Sequence, residues 1–165
     1  MGQDPETKAG EWDGLSGLDV LKAMADGRLE HWNKSKYDEI GLRLTAAEPD
    51  HVTLSWRPTP ATHNFAGGVD GGAIATVLDQ VCCSAGATRT ARACPMVTLS
   101  LNIDFTRPPH TGQLHEVRGE LVHAGRHRML VNGRIVNADG KTVAQATAAV
   151  VPATSVTPPQ GTGSE

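Results

Sequence analysis

Apolar residues recur along the chain in two periods, and the switches between them mark out its elements. Leu15, Leu18, Leu21 and Met24 fall at helical spacing, with Ser16 as a cap and Gly27 as the stop. Ile40, Leu42 and Leu44 alternate with Gly41 and Arg43 and predict a strand. Pro49-Asp50 marks a turn, and Val52, Leu54 and Trp56 predict a second strand that stops at Pro58. A loop from Thr59 to Asp70 leads into a long helix predicted from Gly71 to about Thr90. Val97, Leu99, Leu101, Ile103 and Phe105 then alternate with Thr98, Ser100, Asn102 and Asp104, which predicts a strand with all five apolar residues on one face. Strands over Leu114 to His123, Arg126 to Asn137 and Thr142 to Val151 follow, separated by Ala124-Gly125 and by the hairpin signal Asp139-Gly140. Antiparallel strands around one central helix predict an α+β fold with the helix on one face of the sheet.

A chain of 165 residues is one domain, large enough for a core without disulfides or metals. Its six aromatic residues leave that core to aliphatic and small side chains. A net charge of -3, with no long basic run, argues against nucleic-acid binding. Cys82, Cys83 and Cys94 are odd in number, and two are adjacent, so they form no disulfide framework. That usage fits a reducing cytosol. No stretch resembles a signal peptide or reaches bilayer-spanning length, so a cytoplasmic protein with no membrane partner is expected. Residues 1–14 are polar, and residues 152–165 are rich in Pro, Thr, Ser and Gly. Both segments are expected to be disordered around a domain spanning 15–151.

The long helix carries the strongest chemical clue. Ile74, Val77, Leu78, Val81 and Ala85 share one face, which must pack on the sheet. The other side holds Gly72, Ala75, Thr76, Asp79, Cys83 and Gly86, where a solvated face would carry several charges. Between Gly71 and Thr88 the single charged residue is Asp79. This second face is expected to be covered by a partner subunit, a substrate or both, which makes Asp79 a candidate catalytic acid rather than a core Asp tied to amides or an arginine. At the helix start Asp70 stands at the N-cap position before Gly71-Gly72. Its carboxylate can accept from first-turn amides, and the glycines let a ligand approach the backbone. An exposed amide there is a candidate oxyanion donor; the alternative is a set of ordinary turn glycines. Gly71 and Asp79 are eight residues apart, roughly 12 Å along one helix. If both serve one reaction, two antiparallel helices of a twofold dimer must supply them.

The ordered motifs His63-Asn64-Phe65-Ala66-Gly67-Gly68-Val69-Asp70-Gly71-Gly72, Leu78-Asp79, Val97-Thr98-Leu99, Phe105-Thr106-Arg107-Pro108 and His123-Ala124-Gly125-Arg126 resemble the PaaI-like thioesterases of the hotdog superfamily over roughly residues 17–151. The resemblance implies a curved antiparallel sheet wrapped around a long central helix, and dimers that share the sheet and pair into a dimer of dimers. It implies hydrolysis of a medium-chain or aromatic acyl-CoA, with coenzyme A as part of the substrate and no separate cofactor. Asp79 would act as general base on water or as nucleophile. Gly71 of the other subunit would give its amide to the thioester oxygen. Asn64 would hold the water or the substrate carbonyl, and Thr98 would position the water. His63, Asp70 and Gly72 would lie against the substrate, and Arg126 near the coenzyme A phosphates. The family commonly has His where this chain has Asp70, and a carboxylate there opposes negative charge on the thioester oxygen.

Other chemistries fit less well. His123 and His127 lie four apart across a glycine turn with no further ligand at metal spacing, so no metal site is expected. His63, as a dehydratase-type base, would need a partner acid beside the helix. No basic group flanks Cys82 or Cys83, which read as packing thiols. No Gly-x-Ser-x-Gly elbow is present. Beside hydrolysis stands a second class, a non-catalytic acyl-CoA-binding or sensing protein on the same fold. Retention of Asp79 and Asn64 favours the enzyme, and Asp70 favours the binder.

Overall fold

A computed structural model describes residues 12–153. Among the described residues, three α-helices, α1 (Gly17–Ala25), α2 (Lys34–Ile40) and α3 (Gly71–Ala87), and a short 3-10 turn at Pro60–Thr62 accompany six strands. The strands are β1 (Leu42–Glu48), β2 (His51–Trp56), β3 (Met96–Phe105), β4 (His115–Ala124), β5 (Met129–Val136) and β6 (Thr142–Pro152). They form one antiparallel sheet in the order β1-β2-β4-β5-β6-β3. The sheet curves around α3, so the predicted α+β architecture is the observed one. Strand β3 lies at one edge.

The predicted face of α3 is the buried one: Val77, Leu78, Val81 and Ala85 are wholly enclosed and Ile74 nearly so. They meet Leu54, Trp56, Val117 and Ile135 from the sheet, each worth about 1.5–3 kcal/mol when fully buried. Glycines set how closely the helix settles. Gly119 and Gly133 pair directly across β4 and β5. A Cβ at Gly119 would stand 2.6 Å from the Val81 carbonyl oxygen, and one at Gly133 would stand 2.9 Å from the Cys82 sulfur. The two bare positions form a trough for the helix backbone. Gly119→Val is therefore expected to cost about 2–3 kcal/mol or more, because the clash is with backbone and no side chain can swing aside. Urea unfolding reads the loss, and an unchanged midpoint would contradict it.

Three local expectations are corrected. Ile40 is not in a strand but is the last residue of α2, a helix the alternation did not announce. Gly41 follows at φ 73° as a left-handed C-cap, so β1 starts only at Leu42. The apolar residues of β3 do not share one face. The register steps from Thr98↔Val150 to Ser100↔Ala149, which leaves Leu99 as an unpaired bulge residue, 53% exposed. Met96 and Thr98 therefore turn toward the helix before the bulge, and Leu101 and Ile103 after it. The third correction concerns β5, which begins at Met129 rather than Arg126, leaving Arg126 in the β4–β5 turn.

Residues 1–11 and 154–165 lie outside the described residues, and with them most of both segments expected to be disordered. Trp12 packs its ring edge-on to Trp32 with centroids 5.6 Å apart. Pro152 ends β6, and the Ala153 amide donates to Pro95. No helix among the described residues is long and apolar enough to cross a membrane.

Candidate active site

Asp79 sits in the middle of α3, half-buried, on the side turned toward β3. Thr98 donates its hydroxyl to Asp79 Oδ1 at 2.6 Å. The bulge at Leu99 makes this contact, since it turns Thr98 inward just ahead of the step. Asp79 Oδ2 has no protein partner among the described residues, so one carboxylate oxygen is anchored and the other is open to a proton. One turn along the helix, Cys83 Sγ lies 3.3 Å from Thr98 Oγ1. The threonine has one proton and gives it to Asp79, so the thiol is the donor to Thr98. The order Cys83 to Thr98 to Asp79 fixes the rotamers of the site.

Burial pushes the Cys83 thiol up to about 11, with the nearby Asp79 charge adding to the rise against the Thr98 bond. Burial likewise pushes Cys82 up to about 12. Both are raised above the ordinary thiol value, so at pH 8 the thiolate fraction of Cys83 is only ~10⁻³. Iodoacetamide at pH 8 should accordingly label neither residue in the native protein while labelling both after unfolding, as read by mass spectrometry. Native labelling of Cys83 at the unfolded rate would show the thiol to be ionised and accessible. The burial and raised thiol values of Cys82 and Cys83 fit packing thiols.

The start of α3 holds a second group of residues. Asp70, in extended geometry (φ -70°, ψ 140°), accepts from the Gly72 amide at 2.5 Å. A Cβ at Gly72 would stand 2.8 Å from that same oxygen, so glycine there keeps the cap closed. Asp70 thus takes the amide of Gly72 and not that of Gly71, which as the first helical residue has no intrahelical acceptor. Asn64 Oδ1 accepts from the amides of Ala66 and Gly68 at 2.9 and 3.2 Å. The Asn64 oxygen is committed to shaping the loop, which leaves its NH₂ as the group for a ligand. His63 Nε2 is bonded to Thr111 Oγ1 at 2.7 Å and ties the loop to the segment after β3. Among the described residues no acid partners it, which fits a histidine that holds the loop in place.

The chain therefore brings the expected residues together in two separate groups. Asp79 and Thr98 meet at mid-helix; Gly71, Asp70, Gly72 and the Asn64 loop meet at the helix start, beside Phe105, whose ring lies 3.8 Å from where a Gly71 Cβ would be. Arg126 is exposed in the β4–β5 turn. That turn leads into Met129, whose sulfur lies 3.8 Å from where a Gly86 Cβ would be, so Arg126 belongs to the C-terminal end of α3, away from Gly71. A cavity of about 1230 Å³ opens at Asp79, Thr98 and Cys83 and runs under α1 to Trp12 and Trp32. Among its walls are Val20, Leu21, Met96 and Met129. Gln80, Trp12 and Trp32 belong to this cavity and carried no signal in the sequence.

Residues 66–144 match the Thioesterase superfamily. Among solved structures the chain is similar to a putative thioesterase from Ralstonia eutropha JMP134, a phenylacetic acid degradation-related protein, at 28% identity over 79% of this chain and 97% of that one, TM-score 0.68. It is similar to the PaaI protein of the Escherichia coli phenylacetic acid degradation operon at 19% identity over 83% and 96%, TM-score 0.67. It is also similar to a Streptococcus mutans UA159 protein bound to acetyl CoA at 24% identity over 67% and 87%, TM-score 0.62. A comparison with curated proteins gives no match. The family match covers residues 66–144, and the sheet wrapped around a central helix is the hotdog fold of the PaaI-like structures to which the chain is similar.

Proposed function

We propose that the protein hydrolyses the thioester of a medium-chain or aromatic acyl-CoA, working as a homo-oligomer with each site shared between two subunits. The observation that carries this reading is the half-buried Asp79 carboxylate, anchored through one oxygen by Thr98 at the head of a large apolar cavity. Asp79 Oδ2 takes a proton from water, and the oxygen of that water attacks the thioester carbonyl. Negative charge forms on the carbonyl oxygen, where the Gly71 amide of a second subunit donates to it. The C–S bond then breaks, and the coenzyme A thiolate leaves and takes up a proton. The Asn64 NH₂ holds the carbonyl or the water, and the acyl group fills the cavity under α1. The unpaired edge of β3, with Leu99 and Phe105 exposed on it, supports pairing with a second copy. Similarity to proteins solved with coenzyme A and acetyl CoA supports an acyl-CoA ligand. Arg126, exposed in its turn, is the proposed phosphate contact.

Asp70 favours a second reading, an acyl-CoA binder without turnover, because its carboxylate caps the helix one residue from the proposed oxyanion donor. A panel of acyl-CoAs, with released thiol titrated, separates the two. Hydrolysis of at least one medium-chain or aryl member is expected. Tight binding across the panel with no thiol released would establish the binder.

A further inference from the structure

Phe65 stands wholly in water. It is 106% exposed, and among the described residues no other large hydrophobic side chain is more than 58% exposed. A loose loop does not explain this. Phe65 and Ala66 are the central residues of a turn closed by the Gly67 amide on the Asn64 carbonyl at 3.0 Å, with Gly67 left-handed at φ 80°. Below the turn the Asn64 amide donates to the Gly68 carbonyl at 2.8 Å, and His63 bridges to Val69. The Asn64 side chain braces the same turn from within. The ring is held out at the tip of a small, well-bonded hairpin.

That hairpin is fastened to the start of α3, because the Asp70 amide donates to the Thr62 carbonyl at 2.7 Å. Phe65 and Gly71 each lie two residues from the His63–Val69 bridge, about 7 Å of chain on either side. They move as one body, so a molecule that meets the Gly71 amide also meets the ring. Within one chain the ring cannot cover Asp79, since roughly 12 Å of helix separates Gly71 from that carboxylate. A surface suited to the ring lies at the Asp79 opening itself. There Met96, Val97 and Thr98 line the cavity, and Leu99 stands 53% exposed on the free edge of β3.

Resting on the thioesterase reading and its shared site, we infer that Phe65 is an active-site wall supplied in trans by a second copy of this chain. The ring seats at the mouth of the other copy's cavity, over Asp79 and Thr98 and against Leu99. It buries there the apolar surface that its own chain leaves in water. Twofold symmetry makes the exchange mutual, each copy giving one ring and taking one. The seated ring shuts the reacting carbonyl from bulk solvent, so the Gly71 amide donates to the thioester oxygen in a low-dielectric setting, where that bond is stronger. Each site is incomplete without the second ring.

The test replaces the ring with a photoreactive one. Full-length Phe65→p-benzoylphenylalanine is irradiated as a mixture of isotope-labelled and unlabelled copies, and linked peptides are identified by mass spectrometry. Links between a labelled and an unlabelled copy at residues 79–83 or 96–99 are expected. Links confined to one chain, links to any other surface, or no link between copies overturn the placement. Kinetics supply the second readout. Phe65→Ala should lower kcat/KM roughly tenfold or more, with Phe65→Leu nearer the parent. The loss should be the same for an acyl-CoA and for the same acyl group on N-acetylcysteamine, which has no adenine or phosphate. A loss confined to acyl-CoA overturns the inference by placing the ring on the adenine. Parent-like turnover in Phe65→Ala overturns it, and so does turnover restored by raising the protein concentration, which reduces Phe65 to a contact between copies. Links at the cavity mouth in a protein that hydrolyses no acyl-CoA leave the placement standing and overturn the thioesterase reading instead.

Discussion

Asp79→Asn is expected to lower kcat for acyl-CoA hydrolysis by about 10³-fold while leaving the fold and acyl-CoA binding in place. The size follows from the contribution of a positioned general base, about 10²–10⁴-fold. Asparagine is the informative replacement because its Oδ1 still accepts from Thr98, so the hydrogen bond that anchors the side chain survives. What is removed is the charge and the ability of Oδ2 to hold a proton. The thiol of Cys83 cannot replace it, since it stands one turn away and is protonated at neutral pH. Turnover measured by released thiol, with melting temperature and calorimetric binding beside it, gives the three quantities. Hydrolysis within tenfold of the parent would remove Asp79 from the base role, however well placed it is in the cavity.

Asp79 was legible because its surroundings are so plain: one charge in a helix of small and apolar residues, where an exposed face would need several. Asp70 was legible as an N-cap for the same kind of reason, because a side-chain acceptor before two glycines has few other uses. The Thr98 contact was not legible from periodicity. Strict alternation sets Thr98 opposite Leu99, Leu101 and Ile103, and a bulge inserts one residue without changing the hydrophobic pattern that surrounds it. Helix α2 was hidden because Ile40, Leu42 and Leu44 alternate across its end. The signal against a continuous strand was Gly41, which takes φ 73°, a conformation that stops a helix and that strands do not use. The hydrogen bond from the Tyr37 hydroxyl to Gln80, a residue of the cavity wall, was illegible for a different reason. It joins residues 43 apart, and local pattern says nothing about which distant side chains meet.

The same geometry that separates Gly71 from Asp79 yields a quantitative expectation for mixed oligomers. Gly71→Pro removes one proton from the site and little else. Proline is favoured at the first helical position, where the N–H has no partner in the helix, and Asp70 before it already has the extended backbone that precedes proline. Loss of a single oxyanion donor should cost about 10²–10³-fold in kcat. Asp79→Asn and Gly71→Pro are then two nearly inactive proteins with intact folds. If each site takes its carboxylate from one chain and its amide from the other, a mixed dimer carries one site with both lesions and one with neither. Unfolding and refolding an equimolar mixture makes half of the dimers mixed, each with one working site of two, so activity should return to about a quarter of the parent value. A site contained within one chain gives no such recovery, because every chain in the mixture carries a lesion. Activity that stays at the average of the two variants would therefore place the carboxylate and its oxyanion donor on the same subunit, against the roughly 12 Å of helix that lies between them.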